Sequence, residues 1–250
     1  MRKYIIAGNW KMNMTASETK KLTEELNSAK KCGQQTVIIC PPFTSLATAN
    51  DLLVGSAIRL GAQNCHFAPK GAFTGEISIP MLQECGCEYV IIGHSERRQF
   101  FGENNAFINQ KLMALLEGGL SPILCIGETL DERQNGKTKA VLETQLAECL
   151  KDVTEAKSII IAYEPVWAIG TGVSASTEQI TETHYFIHSW LEKSFLNVAV
   201  PILYGGSVND NNAGEILSIP HVDGALIGGA SLVAEKFASI ISTAEKLTDR

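Results

Sequence analysis

A (β/α)₈ barrel in a single domain is the fold the sequence predicts, and three observations predict it. Short, β-branched apolar runs recur at fairly even intervals, stretches of helical periodicity separate most of them, and eight such units fit a chain of 250 residues, the usual size of that architecture.

The first run, Tyr4–Ala7, leads to residues 16–31, rich in Lys, Glu, Leu and Ala at helical spacing. Thr36–Cys40, Ile58–Ala62, Tyr89–Ile92 and Pro122–Ile126 follow as four more strand-like runs. Helical periodicity returns over residues 137–152, between Pro122–Ile126 and the next run, Ser158–Ala162. A further amphipathic stretch, 177–195, precedes Pro201–Tyr204, and the last run, Val222–Ile227, leads into residues 231–247. Continuous apolar runs of this length, without polar alternation, are what parallel strands buried on both faces require. A doubly wound open sheet is the main rival, but it needs fewer strands, and the glycine-rich first turn it often carries is missing. No linker, low-complexity tract or shift in composition divides the chain, so residues 1–250 read as one domain.

Apolar residues make up 45% and charged residues 19%, an ordinary globular balance. The net charge of −6 argues against a nucleic-acid partner, and it means that any anionic ligand must be held by local donors. No apolar run is long enough to span a membrane or form the core of a signal peptide, and the final tripeptide is no address signal. The seven cysteines, at 32, 40, 65, 85, 87, 125 and 149, are an odd number, and several lie in strand-like runs. Reduced, buried thiols and a cytoplasmic location are the expectation.

In this fold chemistry sits at the C-terminal ends of the strands. The sequence places Asn9 and Lys11 after the first run, Gln63 and Asn64 after the third, and His94 after the fourth. Glu128 follows the fifth and Glu164 the sixth, with Gly205-Gly206-Ser207 after the seventh and Gly228-Gly229 after the eighth. Glu164 leaves a buried strand, where desolvation can raise its pKa and make it a base; the bland alternative is a structural carboxylate paired with a lysine. The residues after it favour the base. Pro165-Val166-Trp167 is stiff and apolar, and Ala168-Ile169-Gly170-Thr171-Gly172 is small and glycine-tipped. Such a connection exceeds the ordinary length of about 2–6 residues and can close as a lid over residues 165–175.

The two glycine pairs fall where barrels commonly bind phosphate. There Ser207 adds a hydroxyl or simply caps the next helix. Lys11 supplies a positive charge for a dianion, unless it is one more solvated surface lysine. His94, ahead of a helix start, is favoured as neutral imidazole, which still donates one hydrogen bond. Other motifs fail on inspection. Asn135-Gly136-Lys137-Thr138 lacks the leading glycine of a phosphate loop, because Asp131 stands there. His184 and His188 flank Tyr185 where the zinc-protease pattern needs Glu. Cys85-Gly86-Cys87 is too short for a zinc site, and Asn13-Met14-Thr15 is a glycosylation triplet with nothing else to support secretion.

With these residues in hand, the chain resembles the triosephosphate isomerase family from end to end. Carrying the resemblance are Gly8-Asn9-Trp10-Lys11-Met12-Asn13, Gly71-Ala72-Phe73-Thr74-Gly75-Glu76, Ile91-Ile92-Gly93-His94-Ser95-Glu96-Arg97-Arg98 and Cys125-Ile126-Gly127-Glu128. The match continues through residues 162–172, Tyr204-Gly205-Gly206-Ser207-Val208 and Gly228-Gly229-Ala230-Ser231-Leu232. The resemblance implies interconversion of dihydroxyacetone phosphate and D-glyceraldehyde 3-phosphate through an enediolate, without cofactor or metal. It implies Glu164 as the base, His94, Asn9 and Lys11 at the oxyanion with Glu96 in support, and Gly170, Ser207, Gly228 and Gly229 on the phosphate. The lid would comprise Pro165, Val166, Trp167, Ala168, Ile169, Gly170, Thr171, Gly172, Val173, Ser174 and Ala175. Residues 63–78 would form a dimerisation loop that sends Thr74 to the site of a second copy, making a homodimer. The chain departs from the family at Val173-Ser174-Ala175, where a lysine is frequent, and at Asn104-Asn105, which changes the cap of a helix.

Two other readings stay open from sequence. A Schiff-base aldolase barrel would need a lysine inside a strand, and none of the eight runs has one in its interior. A non-catalytic phosphate-binding barrel would leave the set Asn9, Lys11, His94 and Glu164 without a purpose.

Overall fold

The computed structural model describes residues 3–29, 33–169 and 175–248. Its elements run β1 (Ile5–Asn9), α1 (Ala16–Ala29), β2 (Thr36–Cys40), α2 (Leu46–Leu53), β3 (Ile58–Ala62), α3 (Ile79–Glu84), β4 (Tyr89–Ile92), α4 (Ser95–Phe101) and α5 (Asn105–Glu117). They continue β5 (Ser121–Ile126), α6 (Leu130–Gln134), α7 (Thr138–Cys149), β6 (Ile160–Tyr163), α8 (Thr177–Ser194), β7 (Ile202–Tyr204), α9 (Ala213–Ser218), β8 (Gly224–Ile227) and α10 (Ala234–Thr248). Short 3₁₀ turns lie at Phe43–Ser45, Val166–Ala168 and Gly229–Leu232.

Among the described residues the eight strands pair in parallel, each with the next, and β8 closes on β1 with Ile5 opposite Gly224. Side chains alternate across the strand, so each run feeds two cores. Ala7, Ile38, Cys40, Ile91, Ile123, Cys125, Ile160, Ala162, Leu203 and Leu226 fill the barrel. Their neighbours Ile6, Val37, Ile39, Val90, Ile92, Leu124, Ile161, Tyr163, Tyr204 and Ile227 pack outward under the helices. This double burial is why the strands read as unbroken apolar runs. The same alternation aims chemistry: continuing the inward phase of Ile160 and Ala162 brings Glu164 to the barrel mouth.

Three strands match the sequence reading at both ends, and the others shift by one or two residues. β1 runs on to Asn9 because Gly8 and Asn9 still pair with Ile39 and Cys40. β6 and β8 start two residues late, at Ile160 and Gly224. The stretch 231–247 divides, with a 3₁₀ turn at Gly229–Leu232 and extended backbone at Val233 ahead of α10. The arm 63–78 is held in shape. His66 N–H donates to the Ile77 carbonyl at 2.8 Å, and the His66 ring stacks on Phe67 and lies 4.0 Å from Phe73. Asn104 does cap α5, its side chain accepting the Phe107 N–H at 2.9 Å.

Candidate active site

The first strand delivers its polar end by a tight turn. Asn9 is buried, its Oδ1 accepts the Lys11 N–H at 3.0 Å, and Lys11 sits at φ 53, a costly conformation for a side-chain-bearing residue. Gln63, from the end of β3, stabilises that turn by donating to the carbonyls of Lys11 and Cys40, each at 2.8 Å. The Lys11 ammonium then reaches Glu96 Oε1 at 2.6 Å.

Opposite it, just beyond β4, stands His94, the N-cap of α4, which accepts the Glu96 N–H on Nδ1 at 3.2 Å. Its Nε2 lies 2.9 Å from Glu164 Oε1, and the other carboxylate oxygen accepts the Ser95 N–H at 3.0 Å. Burial resists charging the ring, while the Glu164 and Glu96 carboxylates lift the His94 pKa above 6.5. A second proton would have to enter Nδ1, which already faces an N–H donor at a helix start, while the Glu96 carboxylate is farther off, at 3.5 Å. That contact favours a proton on Nε2, aimed into the mouth.

Glu164 is almost wholly buried, and burial alone would raise its pKa. The His94 and Ser95 donors and the Lys11 charge outweigh that and hold it below 4.5. A carboxylate whose folded pKa is depressed adds stability that is complete above the unfolded value and is lost as pH falls through the folded one. The stability advantage of wild type over Glu164→Gln should therefore shrink on acidification below 4.5, as denaturant titrations at stepped pH would register. Room for the side chain comes from Gly205, where a Cβ would lie 2.9 Å from Glu164 Cγ.

A cavity of about 500 Å³ opens over these groups. Asn9, Lys11, His94, Glu164, Ser207, Gly228 and Gly229 all line it, together with Ile169. Seven of the residues singled out from sequence thus converge on one space. Glu96 stands behind them as the partner of Lys11, and Gly170 lies outside the described residues, as do Thr171, Gly172, Val173 and Ser174. Ser207 caps no helix, since α9 begins at Ala213; its hydroxyl donates to the Ala168 carbonyl at 2.7 Å. At the far end of the segment 165–175, Ala175 is buried, and Ser176 forms a capping box with Gln179, fixing the start of α8.

Sequence reasoning noted Glu128 only by position, and the structure gives it a role. Fully buried just beyond β5, it accepts from Arg133 at 2.9 Å, Tyr163 Oη at 3.1 Å and Trp167 Nε1 at 3.2 Å, holding the start of the segment 165–175. Its place at the rim was the available signal. The Ser95 amide and Gln63 were missed as supports because backbone donors and carbonyl acceptors leave no mark on residue type. His184 is a core residue, with Nδ1 2.9 Å from the His221 carbonyl. Cys40, Cys65, Cys87, Cys125 and Cys149 are buried free thiols and Cys85 a partly exposed one, while Cys32 lies outside the described residues.

The triosephosphate isomerase family model matches residues 4–244. The triosephosphate isomerase of Aquifex aeolicus is 51% identical over 243 residues, covering 95% of this chain and 98% of the relative. That of Dehalococcoides mccartyi is 50% identical, with both chains covered in full. A solved triosephosphate isomerase structure from Bartonella henselae superposes with a TM-score of 0.90 at 44% identity, covering 97% of this chain and 99% of the other.

Proposed function

The chain belongs to the triosephosphate isomerase family, and from that premise we propose how its residues share the interconversion of dihydroxyacetone phosphate and D-glyceraldehyde 3-phosphate. Glu164 takes a proton from the carbon beside the carbonyl and returns it to the neighbouring carbon. The observation that carries this is the Glu164 carboxylate 2.9 Å from His94 Nε2, at the floor of a cavity also lined by Lys11 and the glycine pairs. In the ligand-free pose both Glu164 oxygens are engaged. A substrate oxygen that takes over the His94 proton frees one of them, and the base turns toward the substrate carbon in the space that Gly205 leaves.

Neutral His94 donates Nε2–H to the developing enediolate, and Asn9 and the Lys11 ammonium stabilise the same charge, with Glu96 holding Lys11 in place. Backbone donors at Ser207, Gly228 and Gly229, with Gly170 from the lid, hold the phosphate. Residues 165–175 close over the complex and exclude water, which would otherwise promote loss of phosphate from the intermediate. No cofactor or metal enters this scheme. A coupled assay of triose phosphate interconversion on wild type and Glu164→Asp tests the scheme; equal turnover by the two would remove Glu164 from the role of base.

The working unit in this reading is a cytoplasmic homodimer of single-domain barrels, with no membrane or nucleic-acid partner; no described helix is long and apolar enough to cross a membrane. Met12 is 95% exposed beside Lys11, and Phe73 is 44% exposed next to Thr74 on the braced arm 63–78. A second copy that seats the arm, Thr74 included, near Asn9, Lys11 and His94 covers both apolar groups. Sedimentation velocity at micromolar protein should give twice the chain mass, and Phe73→Glu should give the monomer with most activity lost. A monomeric wild type of full activity would end the dimer proposal.

A further inference from the structure

The ladder between β4 and β5 stops at Ile92 opposite Leu124. The next carbonyls toward the mouth, Gly93 and Cys125, therefore have no strand partner across that seam. One side chain takes both. Arg98, half-buried in the first turns of α4, turns back so that Nε donates to the Gly93 carbonyl at 2.8 Å and Nη2 to the Cys125 carbonyl at 3.2 Å. Nη1 meets Asn105 Oδ1 at 2.5 Å, and Asn105 donates on to Glu148 at 2.8 Å. All the acceptors recorded for Arg98 among the described residues are uncharged, so carbonyl geometry and not ion pairing directs the fork.

Both carbonyls adjoin the reacting groups. Gly93 immediately precedes His94 at φ +67, and a Cβ there would lie 3.1 Å from the Cys125 oxygen. The residue after Cys125, Ile126, accepts the Glu164 N–H on its carbonyl at 2.7 Å.

We propose that Arg98 is a positioning residue of the isomerisation, whose guanidinium spans the ends of β4 and β5 and so sets the spacing between the His94 imidazole and the Glu164 carboxylate. A planar fork can hold two carbonyls at fixed separation, which a lysine, as a single point donor, cannot. Displacements of about 1 Å at a reacting pair cost up to 10²-fold in rate. The phosphate donors at the ends of β7 and β8 lie away from this seam.

The test compares Arg98→Lys with Asn105→Ala in the intact protein. Arg98→Lys should lower kcat about 10- to 100-fold with KM within about twofold, and should shift the His94 Nε2–H signal in spectra of ¹⁵N-histidine-labelled protein. Asn105→Ala loosens the outer end of the fork only, so it should lower Tm while leaving kcat and the His94 signal at wild-type values. Two results overturn the proposal. One is an Arg98→Lys protein whose kcat per folded site and His94 signal match wild type, whatever its Tm. The other is failure of Arg98→Lys to fold, which would make Arg98 a support of the barrel at large. The proposal rests on Glu164 and His94 as the reacting groups, and the Glu164→Asp assay tests those separately. A full loss in Glu164→Asp beside an unaltered Arg98→Lys removes the positioning role alone.

Discussion

Glu164→Asp should fold as wild type does, bind substrate with nearly unchanged KM, and turn over about 10²-fold more slowly. The shorter side chain keeps a carboxylate, so chemistry is retained and only reach is lost. Withdrawing the base by one methylene moves its oxygens by roughly 1 Å, enough to leave the near-attack geometry. Glu164→Gln, which cannot take a proton, should fall by the full worth of a positioned base, about 10²–10⁴-fold, where each tenfold is about 1.36 kcal/mol. In the proposed scheme the phosphate is held by Ser207, Gly228 and Gly229 and not by the carboxylate, so the loss should appear in kcat. Initial rates in both reaction directions check this. A variant that lost KM and kept kcat would make Glu164 a binding residue.

What could be read from the chain divides along a physical line. Strands buried on both faces announce themselves, because every position is apolar; β2, β3 and β4 appear in the sequence with the ends they have in the structure. Short helices do not. The six-residue α3 is too brief for periodicity to register, and α4 is polar for most of its length. At the site, the residues that meet the cavity were visible from type and strand-end position, as Glu164, His94 and Lys11 illustrate. Their supports were hidden wherever the partner is a backbone atom. Gln63 acts on two carbonyls, Arg98 on two more, and Ser95 through its amide. Nothing in the residue letters separates such a glutamine or arginine from a solvated one. Lys111 is the sharpest case: within α5 it reads as a surface charge, yet it is wholly buried.

That burial sets up a large expected loss of stability. The Lys111 ammonium donates to Glu103 Oε1 at 2.6 Å and Asn64 Oδ1 at 2.8 Å, and it lies 4.7 Å from the centre of the Phe107 ring. Glu103 Oε1 also accepts Arg97 Nε at 2.6 Å, while its Oε2 is buried without a hydrogen-bond partner among the described residues. Burial pulls the Lys111 pKa below 10.5, and the Glu103 carboxylate works against that pull. Removing one member of such a pair strands the other, at a cost of about 3–5 kcal/mol, against a total stability of roughly 5–15 kcal/mol for a folded domain. Lys111→Met keeps the apolar stem and deletes the charge. Because Arg97 stays on Glu103, its cost should fall in the lower part of that range, about 3 kcal/mol. Asn64 loses its partner too, and since it opens the arm 63–78, the arm should loosen with it. Adding Glu103→Gln to Lys111→Met removes the stranded charge and should recover part of the loss, the sign expected when desolvation is the cost. Denaturant melts of the three proteins decide it. If Lys111→Met lost under about 1 kcal/mol, the pair would be worth no more than an exposed salt bridge, and the buried network would not be what fixes the arm to the barrel.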